Sequence, residues 1–480
     1  MNRQAILAVD LDGTLLKTDL LYESLWKCAS EAPWHLSSVL KSVTGGKARF
    51  KQALSAKINI DPKNLAYNSD VIAYVRSWRE NGGKAILVTA SDQRAATDVA
   101  DYLGIFDDVF GSDGDRNLRG EAKANFLKQK FGVGGYDYMG DSPADLPVWQ
   151  AARRAIAVGV PEKLRARITP LDSEVVLLPA RSSGPGAHWR ALRPHQWLKN
   201  LLVFLPLLAV QAESAALWML GVLAFLAFSL VASGVYVLND LLDLAADRAH
   251  PRKNGRPIAS GAVSLFHATI MAAGAPLAGL LLAILTGQLM FIGVLSVYYV
   301  MSVAYSLVLK RMLVVDICTL AGLYTIRIIG GAAVTGLSPS VWLLAFSVFI
   351  FLSLAAVKRQ TELVDAAKTG RMSISGRGYE PGDLPIISMM AVSAGYVAVL
   401  VMALYLYSPT VQELYRQPML LWGVCPILIY WVSWMVMTAH RGRMDDDPIV
   451  FAVKDRVSRY CGALVFLCVV AASQPLVLLD

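Results

Sequence analysis

Acidic side chains recur at short, regular spacing in three parts of the sequence. They are Asp10 with Asp12, Asp141 with Asp145, and Asn239 with Asp243 and Asp247. Mg²⁺ is bound by oxygen ligands, usually one or two carboxylates together with waters and the phosphates of a substrate. We therefore expect this protein to act on phosphate groups, with Mg²⁺ as its cofactor.

Three apolar runs predict buried β-strands. The first acidic group follows one of these runs, and the second lies within another. The runs are "AILAV" at 5–9, "KAILVTAS" at 84–91 and "YDYMGDSPADLP" at 136–147. Ligands of an open α/β sheet bind at the carboxyl ends of its strands, so the polar residues at these three ends should meet. The predicted fold class of this part is α/β, with a Rossmann-like sheet.

The polar groups at the three strand ends suit phosphoryl transfer. They comprise Asp10 and Asp12, Thr89, and Asp141 with Asp145, and Lys123 lies between the second and third strands. One carboxylate can attack phosphorus while others hold Mg²⁺, and lysine and threonine offset the charge of the transferring group. Solvated acidic loops are the alternative for a lone Asp-x-Asp motif, but four motifs in order argue against it.

These motifs resemble those of the haloacid dehalogenase superfamily of aspartate-nucleophile phosphatases, over residues 1–180. The resemblance implies that Asp10 is the nucleophile and Asp12 the general acid and base. The remaining implied roles are Thr89 and Lys123 as phosphate ligands, Asp10, Asp12 and Asp141 as Mg²⁺ ligands, and Asp145 in support. A small helical cap is implied over about residues 18–80.

The composition changes near residue 180. The chain has 480 residues, of which 55% are hydrophobic and 17% charged, with a mean hydropathy of +0.46. Charges are scattered in the first part, as in a soluble domain, whereas later apolar runs are long enough to cross a bilayer. About nine spans are predicted, at 198–211, 215–238, 264–284, 288–308, 314–336, 340–360, 386–406, 418–438 and 457–477, the first being short.

Basic residues predict the orientation of these spans. Lys and Arg follow the second, fourth, sixth and eighth spans, and the opposite loops contain almost none. Because basic loops face the cytoplasm, nine spans place the N-terminus inside and Asp480 outside. The N-terminus also lacks the apolar core of a secretory signal. We expect an inner (plasma) membrane protein with a cytoplasmic N-terminal domain, whose net charge of +8 suits anionic lipid and needs no nucleic acid.

A stretch rich in Ser, Gly and Pro, "PARSSGPGAHW" at 179–189, marks a domain boundary. We expect a phosphatase-like domain over 1–180, a linker over 181–192 and a membrane domain over 193–480. "RPHQWLKN" at 193–200 then combines bases with a tryptophan, as expected at the level of the lipid headgroups. Its Lys199 and Asn200 either belong to a structural anchor or contact substrate.

Asn239, Asp243 and Asp247 lie four residues apart at the end of the second predicted span. On a helix they would form one column about 12 Å long that could hold Mg²⁺. An ordinary polar helix end is the alternative. Three bases follow, Arg252, Lys253 and Arg256. Because such bases pair with phosphate oxygens, they favour a diphosphate site.

Ionisable residues in or beside the apolar runs are further candidates for substrate binding, since such groups are costly to bury in a membrane. They are Lys310, Asp316, Arg327, Lys358 and Arg359. Asp316 and Arg327 could pair, but about three helical turns separate them, so a direct bond would be long. A local Lys358–Glu362 pair is an even alternative to substrate binding. Arg327 ranks first because arginine favours bidentate phosphate contacts.

The membrane half resembles the UbiA-type prenyltransferase superfamily over residues 190–480, which implies an all-helical bundle of about nine spans round a central cavity. The pattern beginning at Asn239 matches the first acidic motif of that superfamily. A second Asp-x-x-x-Asp motif after the fourth span is missing, and "LKRMLVVDICTLAGLYTIRIIGGA" (309–332) stands there instead. With "VKRQTEL" (357–363) and "DDPIVFAVKDRVSRY" (446–460), this resembles the decaprenyl-phosphate phosphoribosyltransferase branch.

The resemblance implies transfer of 5-phosphoribosyl from phosphoribosyl diphosphate to a polyprenyl phosphate, whose phosphate is the nucleophile. The product would keep a phosphate monoester, which a tethered phosphatase could remove, since tethering raises effective concentration. A bifunctional membrane enzyme is therefore expected. The lipid chain length and the oligomeric state, a homo-oligomer included, are left open.

Two other functions compete with this expectation. An aromatic-ring prenyltransferase with a fused phosphatase would use a prenyl diphosphate, and the missing second acidic motif argues against it. A polytopic transporter or scaffold with a regulatory soluble domain would show no Mg²⁺-dependent turnover, and the inverted repeats and broken helices typical of transporters are not clearly present in the sequence.

Overall fold

The computed structural model describes residues 5–35, 38, 54, 57–113, 117–170, 173–178, 184–370, 377–444 and 447–474. The chain forms two compact units. One unit runs to Leu192 and also includes Tyr236–Ala272, and the other comprises Arg193–Val235 and Ala273–Asp480. The first unit therefore takes in a segment that the sequence assigns to the membrane domain.

A six-stranded parallel sheet forms the centre of the first unit, in the order β3-β2-β1-β4-β5-β6. The strands are β1 (Ile6–Val9), β2 (Lys84–Asp92), β3 (Asp108–Ser112), β4 (Asp137–Gly140), β5 (Arg154–Val158) and β6 (Glu174–Leu178). This is the strand order of the doubly wound nucleotide-binding fold, so the predicted α/β class is confirmed.

Helices cover both faces of the sheet. They are α1 (Leu20–Glu31), α2 (Ser69–Glu80), α3 (Gln93–Leu103), α4 (Glu121–Phe131), α5 (Leu146–Ala151) and α6 (Glu162–Ile168). Alternate residues of β1 enter different cores, with Leu7 and Val9 in one cluster and Ala8 in the other. A sheet buried on both faces needs continuous apolar strands, which explains why these strands read as unbroken apolar runs.

The predicted cap is only partly described, because residues 36–37, 39–53 and 55–56 lie outside the described residues. The last part of the predicted cap is helix α2, which packs on the sheet and does not form a separate cap. Val71 and Val75 of α2 pack in the same cluster as Leu7 and Val9. This helix therefore serves as part of the crossover between the parallel strands β1 and β2.

The predicted linker is a helix over most of its described part. Helix α7 (Pro185–Ala191) begins with a proline, whose fixed φ suits the first turn of a helix. Ala187 and Ala191 are buried in one cluster with Val237 and Leu241. The small side chains of this face thus let α7 pack closely, which the Gly and Ser content of the stretch does not reveal.

Eight helices in the described part of the chain are long and apolar enough to cross a membrane. The helices of this part of the chain are α8 (Leu205–Ala209), α9 (Ala215–Leu242), α10 (Leu244–Ala249), α11 (Leu265–Leu285), α12 (Leu289–Leu307), α13 (Val315–Thr335), α14 (Val341–Lys368), α15 (Leu384–Leu406), α16 (Pro409–Leu414), α17 (Val424–His440), α18 (Pro448–Lys454) and α19 (Arg456–Ser473). The second to ninth predicted spans each correspond to one of these eight helices.

The first predicted span, 198–211, differs from the prediction. The chain there forms a 3-10 helix, Pro194–Phe204, continued by the five-residue α8. Gly331 on α13 lets this segment approach closely, since a Cβ at position 331 would lie 1.9 Å from the carbonyl oxygen of Val203. Helix α13 is also the most buried of the eight, since 67% of its most apolar segment is buried inside the protein. This segment is therefore shorter than the eight long helices and packs closely against one of them, α13.

We predict that Gly331→Ala destabilises the protein by about 1–3 kcal/mol, because the added methyl group overpacks a backbone contact. Gly274→Ala on α11 is the matched control, since nothing lies within 4 Å of a Cβ there. The thermal unfolding midpoint in detergent should fall by several degrees for Gly331→Ala alone. Equal midpoints for the two variants would contradict the close approach.

Candidate functional site

Three carboxylates meet at the carboxyl ends of the central strands β1 and β4. Asp10 follows β1, Asp141 follows β4, and Asp145 ends the short 3-10 turn that comes next. One oxygen of each lies within 4.8 Å of the others, so the group could hold a metal ion. The two strands are neighbours although they are far apart in sequence, and this switch point is where ligands bind in open α/β sheets.

The turn after β1 is shaped to admit Asp141. Gly13 has φ +77°, and a Cβ there would lie 2.2 Å from Oδ2 of Asp141. The hydroxyl of Thr14 donates a hydrogen bond of 3.0 Å to Oδ1 of the same aspartate. Glycine is therefore required for both the backbone conformation and the space, and Thr14 orients the carboxylate.

Lys123 and Tyr138 connect these carboxylates beneath the strand ends. The Lys123 ammonium lies 2.9 Å from Oδ1 of Asp10, and it donates to the hydroxyl of Tyr138 at 2.9 Å. That hydroxyl donates to Oδ1 of Asp145 at 2.7 Å. Burial lowers the pKa of Lys123, but the charges of Asp10 and Asp145 outweigh it and the net shift is upward. The lysine therefore remains a cation at the base of the site.

Asp12 has other partners than the three carboxylates. Its Oδ2 accepts from the Ser91 hydroxyl at 2.5 Å, and its Oδ1 accepts from the backbone N–H of Leu20 at 2.8 Å. Burial raises the pKa of Asp12 to about 7. A carboxyl group that titrates near neutrality can donate and accept a proton, which suits the predicted acid and base role. Among the described residues, Asp12 is not part of the metal-binding group.

The pKa values of the clustered aspartates are also raised. Burial raises the pKa of Asp10 to about 6, although the neighbouring Lys123 opposes the shift. Burial, followed by the charges of Asp10 and Asp145, raises the pKa of Asp141 well above its usual range. A bound Mg²⁺ would favour the ionised forms, so the arrangement fits a cation.

Thr89 is fully buried within β2, two residues after Leu87, which pairs with Val9 of β1. Its hydroxyl accepts from the Ser91 N–H at 3.0 Å. The sequence did not identify Thr14 or Tyr138 as site residues. Tyr138 lies in a fully buried strand, which is a usable signal because a buried phenol needs a hydrogen-bond partner.

The acidic motif after the second predicted span divides into two groups. The Asn239 amide donates to Oδ2 of Asp243 at 2.9 Å. Asp247 instead pairs with Arg256 at 2.5 Å, and the same guanidinium contacts Asp240 at 3.1 Å. Helix α9 ends at Leu242 and α10 begins at Leu244, so the predicted column is interrupted at Asp243. Asp240 was missed because it lies outside the four-residue spacing.

The bases of this segment are placed differently from one another. Arg256 pairs with two carboxylates, whereas Arg252 is exposed and Lys253 half-buried. Burial raises the pKa of Asp247, and the charge of Arg256 opposes the shift. Binding of Mg²⁺ by Asp247 would therefore require its ion pair with Arg256 to change. The metal site of Asn239, Asp243 and Asp247 remains a prediction from the sequence.

Arg327 is held by protein groups within the second unit. Its Nε donates to Oδ1 of Asn200 at 2.7 Å, Nη2 donates to the Tyr298 hydroxyl at 2.8 Å, and Nη1 donates to the Leu323 carbonyl. The guanidinium lies 4.8 Å from the ring centre of Tyr298. Arg327 is thus fixed in orientation, with Asn200 as a partner that the sequence also selected.

Asp316 and Arg359, two further predicted residues, form a fully buried ion pair at 2.5 Å. The Tyr379 hydroxyl donates to Asp316 at 2.5 Å, and Glu362 pairs with both Arg359 and Arg377. Glu362 therefore has two arginine partners. Asp316 and Arg327 each have other partners, as their separation in sequence predicts.

Lys199 pairs with Asp447, a residue that the sequence did not identify, and its ammonium lies 5.7 Å from the ring centre of Tyr324. Arg327 lies 5.8 Å from the same ring. Lys310 is buried and Lys358 half-buried, and Lys358 adds positive charge near Asp447. In the described part of this unit, Lys199, Lys310, Arg327 and Arg359 are buried bases, whereas Asp316 and Asp447 are the buried acids.

This fold and these sites define a protein in which an α/β domain with clustered aspartates precedes a multi-pass helical membrane domain. The model of the UbiA prenyltransferase family matches residues 200–472, which is more than half of the chain. The model of haloacid dehalogenase-like hydrolases matches residues 7–150. The chain belongs to the UbiA prenyltransferase family and carries a haloacid dehalogenase-like domain before it.

Three relatives show how far the similarity extends. "Uncharacterized protein y4nM" of Sinorhizobium fredii is 37% identical over 468 residues, covering 97% of this chain and 90% of its own. "Nodulation protein NoeC" of Azorhizobium caulinodans is 39% identical, covering 56% of this chain and 88% of its own. "Decaprenyl-phosphate phosphoribosyltransferase" of Mycolicibacterium smegmatis is 40% identical over 187 residues, covering 38% of this chain and 58% of its own.

We predict that Tyr138→Phe lowers the turnover of a soluble phosphate ester by about 10- to 100-fold, because the lost hydroxyl bridges Lys123 and Asp145 and so positions two of the predicted catalytic residues. Tyr136→Phe is the matched control, as the Tyr136 hydroxyl makes only a 3.4 Å contact to the carbonyl of Val148. Steady-state hydrolysis by the purified chain measures both. Similar rates for the two variants would show that the bridge has no part in catalysis.

Proposed function

We propose that this protein transfers 5-phosphoribosyl from phosphoribosyl diphosphate to a polyprenyl phosphate in its membrane domain and then removes the 5-phosphate in its α/β domain. The relative from Mycolicibacterium smegmatis named decaprenyl-phosphate phosphoribosyltransferase supports the first step, although this chain spans only 58% of its length. The cluster of Asp10, Asp12, Lys123 and Asp141 supports the second.

The observation that carries the first step is the charge pattern inside the second unit. Lys199, Arg327 and Arg359 are buried there, and each is held by an acid or a hydrogen-bonding group. An enzyme that uses two diphosphate-bound metals needs two acidic clusters, whereas a phosphate acceptor needs bases. Asp316 is paired with Arg359, so the region after the fourth predicted span offers no second carboxylate pair.

For the transfer, a phosphate oxygen of the lipid attacks C1 of the ribose, and the bond from C1 to the diphosphate breaks. No general base is needed, since a phosphate monoester is ionised at neutral pH. Asn239, Asp243 and Asp247 would hold Mg²⁺, which offsets the charge of the leaving diphosphate. Arg327, Lys358 and Arg359 are the proposed contacts of the phosphates.

For the hydrolysis, the Asp10 carboxylate attacks the phosphorus of the 5-phosphate, and Asp12 protonates the departing ribose oxygen. Asp12 then accepts a proton from the water that attacks the aspartyl phosphate, which releases inorganic phosphate and regenerates Asp10. Lys123, whose ammonium lies 2.9 Å from Asp10, and Thr89 would offset charge on the transferring group. Mg²⁺ on Asp10 and Asp141 would supply further charge stabilisation.

The proposed location is the inner membrane, with the α/β domain in the cytoplasm. Bases in the loops that follow alternate spans support this orientation. Phosphoribosyl diphosphate is a charged, water-soluble donor, so it would reach the acidic motif from the same side.

We predict that Asp10→Asn leaves the transfer intact but accumulates the lipid that still carries the 5-phosphate, because the nucleophile is lost. Asp243→Asn should abolish transfer while sparing hydrolysis of a soluble phosphate ester. Asp101→Asn, an exposed position on α3, is the control. The measurement is mass spectrometry of lipids formed from phosphoribosyl diphosphate, a polyprenyl phosphate and Mg²⁺.

Normal transfer by Asp243→Asn would contradict the metal assignment. If no ribosylated lipid forms with the unaltered chain, while a prenyl diphosphate and an aromatic acid support turnover, the protein is an aromatic-ring prenyltransferase and the proposal fails.

A further inference from the structure

A buried ion pair joins the α/β domain to the polar segment between the first two membrane helices, α9 and α11. Glu23 lies on α1 and Arg248 on α10, and both belong to the first compact unit. Nη1 of Arg248 lies 3.0 Å from Oε2 of Glu23, and Nη2 lies 2.7 Å from Oε1. The two side chains are only 9% and 6% exposed. This bidentate geometry is the strongest that arginine and a carboxylate form.

Further hydrogen bonds complete the coordination of both charged groups. The Thr18 hydroxyl donates to Oε1 of Glu23 at 2.6 Å. Nη1 of Arg248 also donates to the Asn64 carbonyl at 2.8 Å, and Nε donates to the Ala259 carbonyl at 3.0 Å. A buried pair is tolerated only when such bonds satisfy its remaining donors and acceptors. The guanidinium therefore ties two parts of the α/β domain to its own loop.

Other contacts surround this pair. The Trp26 indole N–H donates to the Thr269 hydroxyl at 3.0 Å, and the ring of Tyr22 meets that of Phe266 edge to face at 5.8 Å. Gly261 has φ +73°, and a Cβ there would lie 2.7 Å from Cβ of Lys17. One face of α1 is thus matched to α11 and to the polar loop before it.

Both partners of the Glu23–Arg248 pair lie close to residues with a proposed catalytic role. The first N–H of α1, on Leu20, donates to the carboxylate of Asp12. On the other side, Arg248 follows Asp247, the aspartate that pairs with Arg256. Helix α1 therefore carries the Asp12 contact at its first residue and the Arg248 contact one turn later.

We propose that the Glu23–Arg248 pair is a positioning contact that docks the α/β domain on the acidic-motif segment, so that the phosphorylated lipid made by the transferase passes to the phosphatase before it diffuses away. This inference rests on the proposed two-step function. Neither residue touches the reacting atoms. Docking raises the effective concentration of the phosphatase at its membrane-bound substrate above the value that the covalent connection of the two domains gives alone.

The test uses the full chain in lipid nanodiscs with Glu23→Gln, which removes the charge and keeps the shape. Glu174→Gln is the matched control, because Glu174 also pairs with an arginine, Arg154, at 2.9 Å, but on the edge strand β6. The ratio of 5-phosphorylated to dephosphorylated lipid should rise about tenfold in Glu23→Gln only. The rate of transfer and the hydrolysis of para-nitrophenyl phosphate should change less than about twofold, because both sites remain intact.

Hydrogen exchange provides a readout that does not depend on the chemistry. Amides of α10 and of the loop up to Gly261 should exchange faster in Glu23→Gln than in Glu174→Gln. If the unaltered chain makes no ribosylated lipid, the proposed function fails, and exchange still decides whether the contact docks the two parts. Unchanged exchange and an unchanged product ratio would overturn the docking, and faster exchange with an unchanged ratio would overturn the coupling.

Thr269→Val extends the test to the membrane side of the contact, in case Glu23→Gln does not fold. It removes the acceptor of Trp26 with little change of shape, so a smaller rise in the same lipid ratio is expected. Hydrolysis of para-nitrophenyl phosphate reports whether the α/β domain of each variant is folded. A folded Thr269→Val chain with the product ratio of the unaltered protein would contradict the proposal.

Discussion

Burying a charged group costs on the order of several kcal/mol unless an opposite charge and hydrogen bonds compensate it, and this constraint governs each polar site of the protein. Lys123 is buried against Asp10 and Asp145, Arg359 against Asp316, and Arg248 against Glu23. In each case the two partners belong to different elements of the fold. The compensation of buried charge therefore fixes how these elements pack against one another.

The α/β domain and the second unit differ in the sign of the charge that predominates among their buried groups. In the α/β domain a single lysine lies among several carboxylates, which leaves negative charge for a cation and for nucleophilic attack. In the second unit arginines and lysines are buried with fewer acids in the described residues, which leaves positive charge for phosphate. A chain that makes a phosphorylated lipid in one domain and hydrolyses it in the other needs this contrast.

The sequence predicted the parts that depend on local pattern. Strands over 5–9 and 84–91, and the meeting of Asp10 with Asp141, follow from apolar runs and from the rule that parallel strands expose one common edge. Eight of about nine spans follow from hydropathy alone. The segment at 198–211 departs from the predicted span because it packs against Gly331, which is far away in the chain. The partners of Glu23, Lys199 and Arg256 were not predictable either, since no periodicity reports contacts that long-range packing creates.

The most direct test of the central claim is a time course with phosphoribosyl diphosphate that carries a radioactive 5-phosphate. Supplied with a polyprenyl phosphate and Mg²⁺, the unaltered chain should place the label first in the lipid fraction and then in free inorganic phosphate, with a lag between the two. If label appears as inorganic phosphate without passing through the lipid, or never enters the lipid, then the two domains do not act in sequence on one substrate and the account is wrong.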